Sequence, residues 1–200
     1  MADGEARVDP AVSRAKFERE LSNCLEQQDH LIRRGIWIVK SEFPEVFVVF
    51  GTPNMTPAVA LFGAIIDFSE YDLLPPSVRL VNPFTLEAYK ANQLPTVLKR
   101  AIKNPIPLSP EQQAMGINPF ETHLMVAHDD LEVPLLCLPG VREYHQHPAH
   151  TGDPWLIHRN SGEGSLYFLL NTLAKYGSEP ILGYAIQARV TGLLQSGAPE

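Results

Sequence analysis

An α+β fold, with helices packed on one face of an antiparallel sheet, is predicted by three features of the sequence. An amphipathic stretch over residues 10–34 comes first. Four short β-rich runs follow, with connections too brief for parallel crossovers, and a leucine stripe at helical spacing comes towards the end.

Residues 10–34 place Phe17, Leu21, Cys24, Leu25, Gln28 and Ile32 at helical spacing with charges opposite, the pattern of one amphipathic helix. Cys24 lies on that stripe, where a free cysteine behaves as a small hydrophobe, and is assigned to the core. After Gly35, the runs 36–40, 46–51, 59–67 and 77–82 read as strands, bounded by turns such as Gly51-Thr52-Pro53-Asn54. Parallel crossovers need about a dozen residues or more, so the four strands form an antiparallel meander. Pro75-Pro76 keeps the approach to the fourth strand extended. Residues 94–103 read as a short helix, 104–110 as loop, and Ser109-Pro110-Glu111-Gln112 as the start of a further helical turn. The apolar run 131–138 is short, and 139–159 is polar, histidine-rich and loop-like. Asn160 with Glu163 has the capping-box pattern ahead of Leu166, Leu169, Leu170, Leu173 and Ala174. A last helix is expected over 181–194 and a flexible tail over 195–200.

The 200 residues contain no Gly/Ser-rich or low-complexity linker, so one domain over 1–200 is expected. A net charge of -7 and scattered basic residues argue against a nucleic-acid surface. No apolar run reaches the roughly 18 residues needed to span a bilayer. Met1-Ala2-Asp3-Gly4-Glu5 has acid where a secretory signal has base, and a cytoplasmic protein is expected. The two cysteines, Cys24 and Cys137, are too far apart in sequence for a CxxC pair, which leaves a working thiol open.

The order helix, four-strand meander, Tyr71…Pro75-Pro76, Leu135-Leu136-Cys137-Leu138, then Trp155 and a helix resembles the ubiquitin-conjugating (UBC) family. The phrase Cys-Leu-Pro-Gly-Val-Arg-Glu-Tyr-His-x-His-Pro-Ala-His-x-Gly-Asp-x-Trp, from Cys137 to Trp155, is similar to its prokaryotic branch. That branch is encoded beside ubiquitin-like proteins, activating enzymes and JAB-type peptidases, in some cases in antiviral defence operons. The resemblance implies a UBC-like fold in which an active-site loop precedes C-terminal helices, with 83–130 an insertion relative to the family. It also implies that Cys137 accepts a ubiquitin-like protein from an activating enzyme and passes it to a lysine of a target protein. Ala127-His128-Asp129 stands where the family has His-Pro-Asn, so the oxyanion lacks that asparagine. Trp155 lies further from the cysteine than the family's tryptophan does.

Cysteine suits acyl exchange because its thiolate is a strong nucleophile and a good leaving group. An ordinary thiol needs nearby positive charge to ionise at neutral pH, and Arg142, His145 and His147 are the candidates. On an extended loop, His145 and His147 send their rings to one side, where they can move protons or steady an oxyanion beside Cys137. A structural loop capping the site is one alternative. Zinc held by His145 and His147, with a third ligand from His150, Asp153 or Cys137, is another, although no regular ligand spacing accompanies them. The expected catalytic set is Cys137, His145 and His147, with no cofactor. An inactive UBC-like docking module is the remaining alternative.

Overall fold

Asp9 caps the first helix: its carboxylate accepts a hydrogen bond from the Ala11 amide at 2.9 Å, and Pro10 fills a position whose N–H would have no helical partner. The computed structural model describes residues 8–185. α1 (Pro10–Leu25) buries Ser13, Phe17, Glu20 and Cys24. A break at Glu26 and Gln27 precedes α2 (Gln28–Arg33), so the single helix expected over 10–34 is two. Leu31 is the residue α2 buries, whereas Leu25 and Ile32 face out. The inward positions 17, 24 and 31 are two helical turns apart, and the expected stripe had mixed two adjoining faces.

Gly35, at φ 73°, turns the chain into the sheet; a Cβ there would lie 2.7 Å from the Gly51 carbonyl oxygen. β1 (Ile36–Glu42), β2 (Glu45–Gly51), β3 (Ala60–Asp67) and β4 (Ser77–Val81) form the predicted meander, in the order β1-β2-β3-β4. Alternate residues of the strands point into the core: Val46, Val48 and Phe50, then Phe62, Ala64 and Ile66, then Val78 and Leu80. Phe50 stacks on Phe62 with ring centroids 4.9 Å apart, and Phe17 of α1 meets Phe68 edge-on at 5.6 Å.

The region after β4 differs most from expectation. Residues 94–103 are not helical: Lys99–Ala101 is strand β5, paired antiparallel with β6 (Glu121–His123). Burial alternates here, with Thr96 and Leu98 inside and Val97 out, and β-branched residues favour that period of two. α3 (Pro110–Ala114) starts as expected, with Ser109 and Gln112 capping each other. β7 (Met125–Val126) pairs with β8 (Leu135–Leu136). Leu98 and Leu124 belong to the same apolar cluster as the sheet, so the stretch 83–130 supplies part of the core.

Residues 139–159 fold into α4 (Arg142–Gln146), a 3₁₀ turn at Pro148–His150, and α5 (Trp155–His158), where a loop was expected. α6 (Leu166–Leu173) is capped by Ser165, whose hydroxyl accepts from the Phe168 amide, and not by Asn160. Glu163 faces His158 and Ser161 instead, which removes it from the expected capping box. The leucine stripe itself is buried as predicted. α6 runs on into a wide π turn over Ala174–Ser178. Residues 181–185 have no helix, and the rest of the helix expected over 181–194, with the tail 195–200, lies outside the described residues. No helix among the described residues is long and apolar enough to cross a membrane.

Leu124 is 1% exposed, and truncating a buried leucine removes contacts and leaves a cavity. Leu124→Ala is therefore expected to lower stability by about 2–5 kcal/mol in urea unfolding. A change below about 0.5 kcal/mol, the range of surface substitutions, would show that 83–130 is peripheral to the core.

Candidate active site

Three backbone hydrogen bonds set the position of Cys137. The Leu124 amide donates to the Leu98 carbonyl at 2.9 Å, and the Cys137 amide donates to the Leu124 carbonyl at 2.7 Å. Beyond the cysteine, Val141 donates back to Leu138 at 2.9 Å and closes a turn through Pro139-Gly140. Gly140 packs so closely on the chain at Glu163 that a Cβ would lie 1.9 Å from its carbonyl oxygen, so no larger residue fits.

α4 is then fastened to the connection between β3 and β4. The Arg142 amide donates to the Pro76 carbonyl at 2.9 Å, and its guanidinium donates to the carbonyls of Pro75 at 3.2 Å and Ser69 at 2.5 Å. Glu143 accepts from the Ser77 hydroxyl. Trp155 of α5 reaches the same connection, its indole N–H donating to the Asp72 carbonyl at 2.9 Å. The Asp72 carboxylate accepts from Lys16 and Arg159. Burial pushes that carboxyl up, but the hydrogen bonds from Arg159 and Lys16 prevail and keep it below its usual range.

The imidazole next to Cys137 belongs to His150. Its Nε2 lies 3.5 Å from Cys137 Sγ, and with hydrogen on Nδ1 it can accept the thiol proton. Tyr144 stacks on the His150 ring with centroids 3.7 Å apart and donates its hydroxyl to Asp153 at 2.6 Å. Burial, then the carboxylate of Asp153, push the Tyr144 phenol up to about 12. Asp153 is held below its usual range, first by the Tyr144 hydrogen bond and then by that of His158. The Tyr144 ring thus covers one face of His150, and the Asp153 carboxylate holds that ring in place.

His145 and His147 take other places than the extended-loop reading gave them. His145 lies within α4, with Nδ1 2.8 Å from the Asp153 carbonyl oxygen and Nε2 2.7 Å from that of Pro139. It ties the two ends of the 139–153 segment together. His147 is half-buried; its Nδ1 accepts from the Ala149 amide, and its ring stacks on the exposed His128 at 5.5 Å. Helical winding through Gln146 separates the two rings, so the side-by-side arrangement of an extended chain does not arise. Arg142 is occupied by the carbonyls already named. Among the described residues no group of three or more His, Cys, Asp or Glu is placed to hold a metal ion, so the set His145, His147, His150 is not assembled as a zinc site.

Burial raises the pKa of the Cys137 thiol, and the positive charge of Arg100 pulls against it. Cys24 is fully buried; burial, then Glu20, push its thiol up to about 12. The sequence reading missed Arg100, which a strand in the supposed insertion presents, and Tyr144. His150 stood outside the expected catalytic set of Cys137, His145 and His147. The available signal was Pro148, which starts the 3₁₀ turn that folds His150 back over Tyr144.

The sequence model of the Y4jH-like family, described as the Y4jH family, matches residues 8–181. The protein named "Uncharacterized protein y4jH" from Sinorhizobium fredii (strain NBRC 101917 / NGR234) is 40% identical over 197 residues. The match covers 94% of this chain and 93% of that protein.

His158 stands between two carboxylates, its Nε2 2.6 Å from Asp153 and its Nδ1 2.7 Å from Glu163. The Asp153 hydrogen bond is the main cause that raises its pKa; burial opposes it and Glu163 adds to it. A raised folded-state value gives stability that is complete below the unfolded value, about 6.5, and is lost as pH rises through the folded value. The stability lost on His158→Gln, measured by urea unfolding, should therefore be larger at about pH 6 than at about pH 9. An equal loss at both would refute the charged bridge.

Proposed function

The chain belongs to the Y4jH-like family, and from the site's geometry we propose that it is a cysteine acyltransferase of the ubiquitin-conjugating kind. In this reading Cys137 accepts the C-terminal acyl group of a ubiquitin-like protein from an activating enzyme and passes it to a lysine amine of a target protein. The observation that supports it is the approach of Cys137 Sγ to His150 Nε2 at 3.5 Å, at the exit of a short strand. A helix, a four-strand antiparallel meander, the cysteine segment and a later helix occur in the order that the UBC-like arrangement requires.

In the first exchange His150 takes the thiol proton and the Cys137 sulfur attacks the donor thioester carbonyl. A new C–S bond forms, the donor's C–S bond breaks, and the donor sulfur leaves with the proton that His150 returns. In the second, an amine nitrogen forms the C–N bond while the bond to Cys137 breaks, and the amine proton passes through His150 to the sulfur. His128, Asp129 and Asp130 line an open cavity of about 540 Å³ on the His147 side, with acid suited to an incoming ammonium group.

The test uses the full chain with ATP and the activating enzyme and ubiquitin-like protein encoded nearest its gene. A thiol-sensitive adduct should form on the wild type and on Cys24→Ala but not on Cys137→Ala. His150→Ala should slow its discharge to an amine by about 100–10,000-fold, the usual contribution of a general base. An adduct that survives Cys137→Ala, or discharge at the wild-type rate without His150, refutes the assignment.

A further inference from the structure

The chain has a net charge of -7, yet one cavity beside the cysteine segment is lined by cations. It measures about 410 Å³, and Arg34, Arg100 and Lys175 surround apolar walls made by Leu138, Phe168 and Tyr176. Leu138 is the residue after Cys137. Arg34 is occupied, since it donates to Glu179 at 2.8 Å and to Asn171. Arg100 and Lys175 form no ion pair among the described residues. They come from different elements, β5 and the π turn after α6, so two charges with no ion-pair partner among the described residues face one cavity, with Lys175 over the Tyr176 ring at 5.2 Å. Phe168 is 40% exposed, an uncovered aromatic surface between them.

We propose that this cavity seats the C-terminal tail of the acyl donor and that the tail is acidic, with its carboxylates on Arg100 and Lys175. The proposal rests on the acyl-transfer reading and names the chemistry of the donor. An extended peptide can lay its side chains against Phe168 and Tyr176, with its last carbonyl directed to Cys137, the sequence neighbour of the cavity-lining Leu138. A tail bearing arginine or lysine would meet like charge, which interfaces use to turn partners away. The influence of Arg100 on the Cys137 thiol agrees with a cation that faces both the cavity and the nucleophile.

Three synthetic peptides of equal length test this, each ending in a benzyl thioester and differing only in acidic, neutral or basic residues near that end. Transfer to the full chain is followed by intact mass. The peptide acyl carbon forms a C–S bond to Cys137, its bond to benzyl thiol breaks, and benzyl thiol leaves with the hydrogen of the cysteine. The acidic peptide should react about tenfold faster than the basic one, as expected of two exposed ion pairs, and added salt should narrow the gap. The double variant Arg100→Glu/Lys175→Glu, shown folded by its melting curve, should reverse the order. Equal rates for the three peptides, or an unchanged order in the double variant, would overturn the proposal while leaving acyl transfer intact. If no peptide thioester labels Cys137, the acyl-transfer reading fails on its own. Fluorescence anisotropy of the acidic peptide on Cys137→Ala then decides the cavity: binding that weakens on adding the two glutamates upholds charge recognition, and binding that does not overturns it.

Discussion

The connection between β3 and β4 is the frame on which the cysteine segment hangs. Its carbonyls at Ser69, Asp72, Pro75 and Pro76 all point to the segment 142–155 and accept from Arg142 and Trp155. A proline carbonyl is free to accept, yet the residue has no N–H to compete for, so a double proline offers a one-sided row of acceptors. Arg142 is suited to such a row, because a guanidinium presents several donors in a fixed plane. Remove that junction and α4, the turn at Pro148–His150 and α5 lose their common reference to the sheet.

The sheet was legible because its signal is local. The four runs are rich in Val, Ile and Phe and are bounded by Gly, Pro, Asn or charged residues, so all four strands lie within a residue or two of expectation. The amphipathic helix was legible in kind but not in its break, since Glu26 and Gln27 are good helix formers and give no stop signal. At Leu98 and at His150 the deciding information is tertiary. Leu98 is buried at φ 44°, a conformation that propensity disfavours and that its place in the core imposes. His150 depends on Tyr144 and Asp153 closing round it, and spacing alone treats the three clustered histidines as equivalent.

That equivalence dissolves in the structure, where the histidines divide their work by environment. His145 and His158 are fixed between oxygen acceptors and shape the segment, whereas His150 keeps one nitrogen toward sulfur. His147 and His128 stack at the exposed rim. The thiol itself lies between opposing influences: burial favours the neutral form and Arg100 the charged one, with burial the larger. A cysteine kept neutral at rest is protected from stray oxidation, and any reaction at its sulfur needs a base to take the proton.

The two cysteines differ in a way that serves experiments on the protein. Cys24 lies fully inside, with its ionisation pushed far above neutral, while Cys137 is half-buried. Maleimides and iodoacetamides react with accessible thiolates, so they discriminate between the two without any engineering. A fluorophore or spin label added to the natural sequence would report from one known point, beside the cavity edged by Arg100.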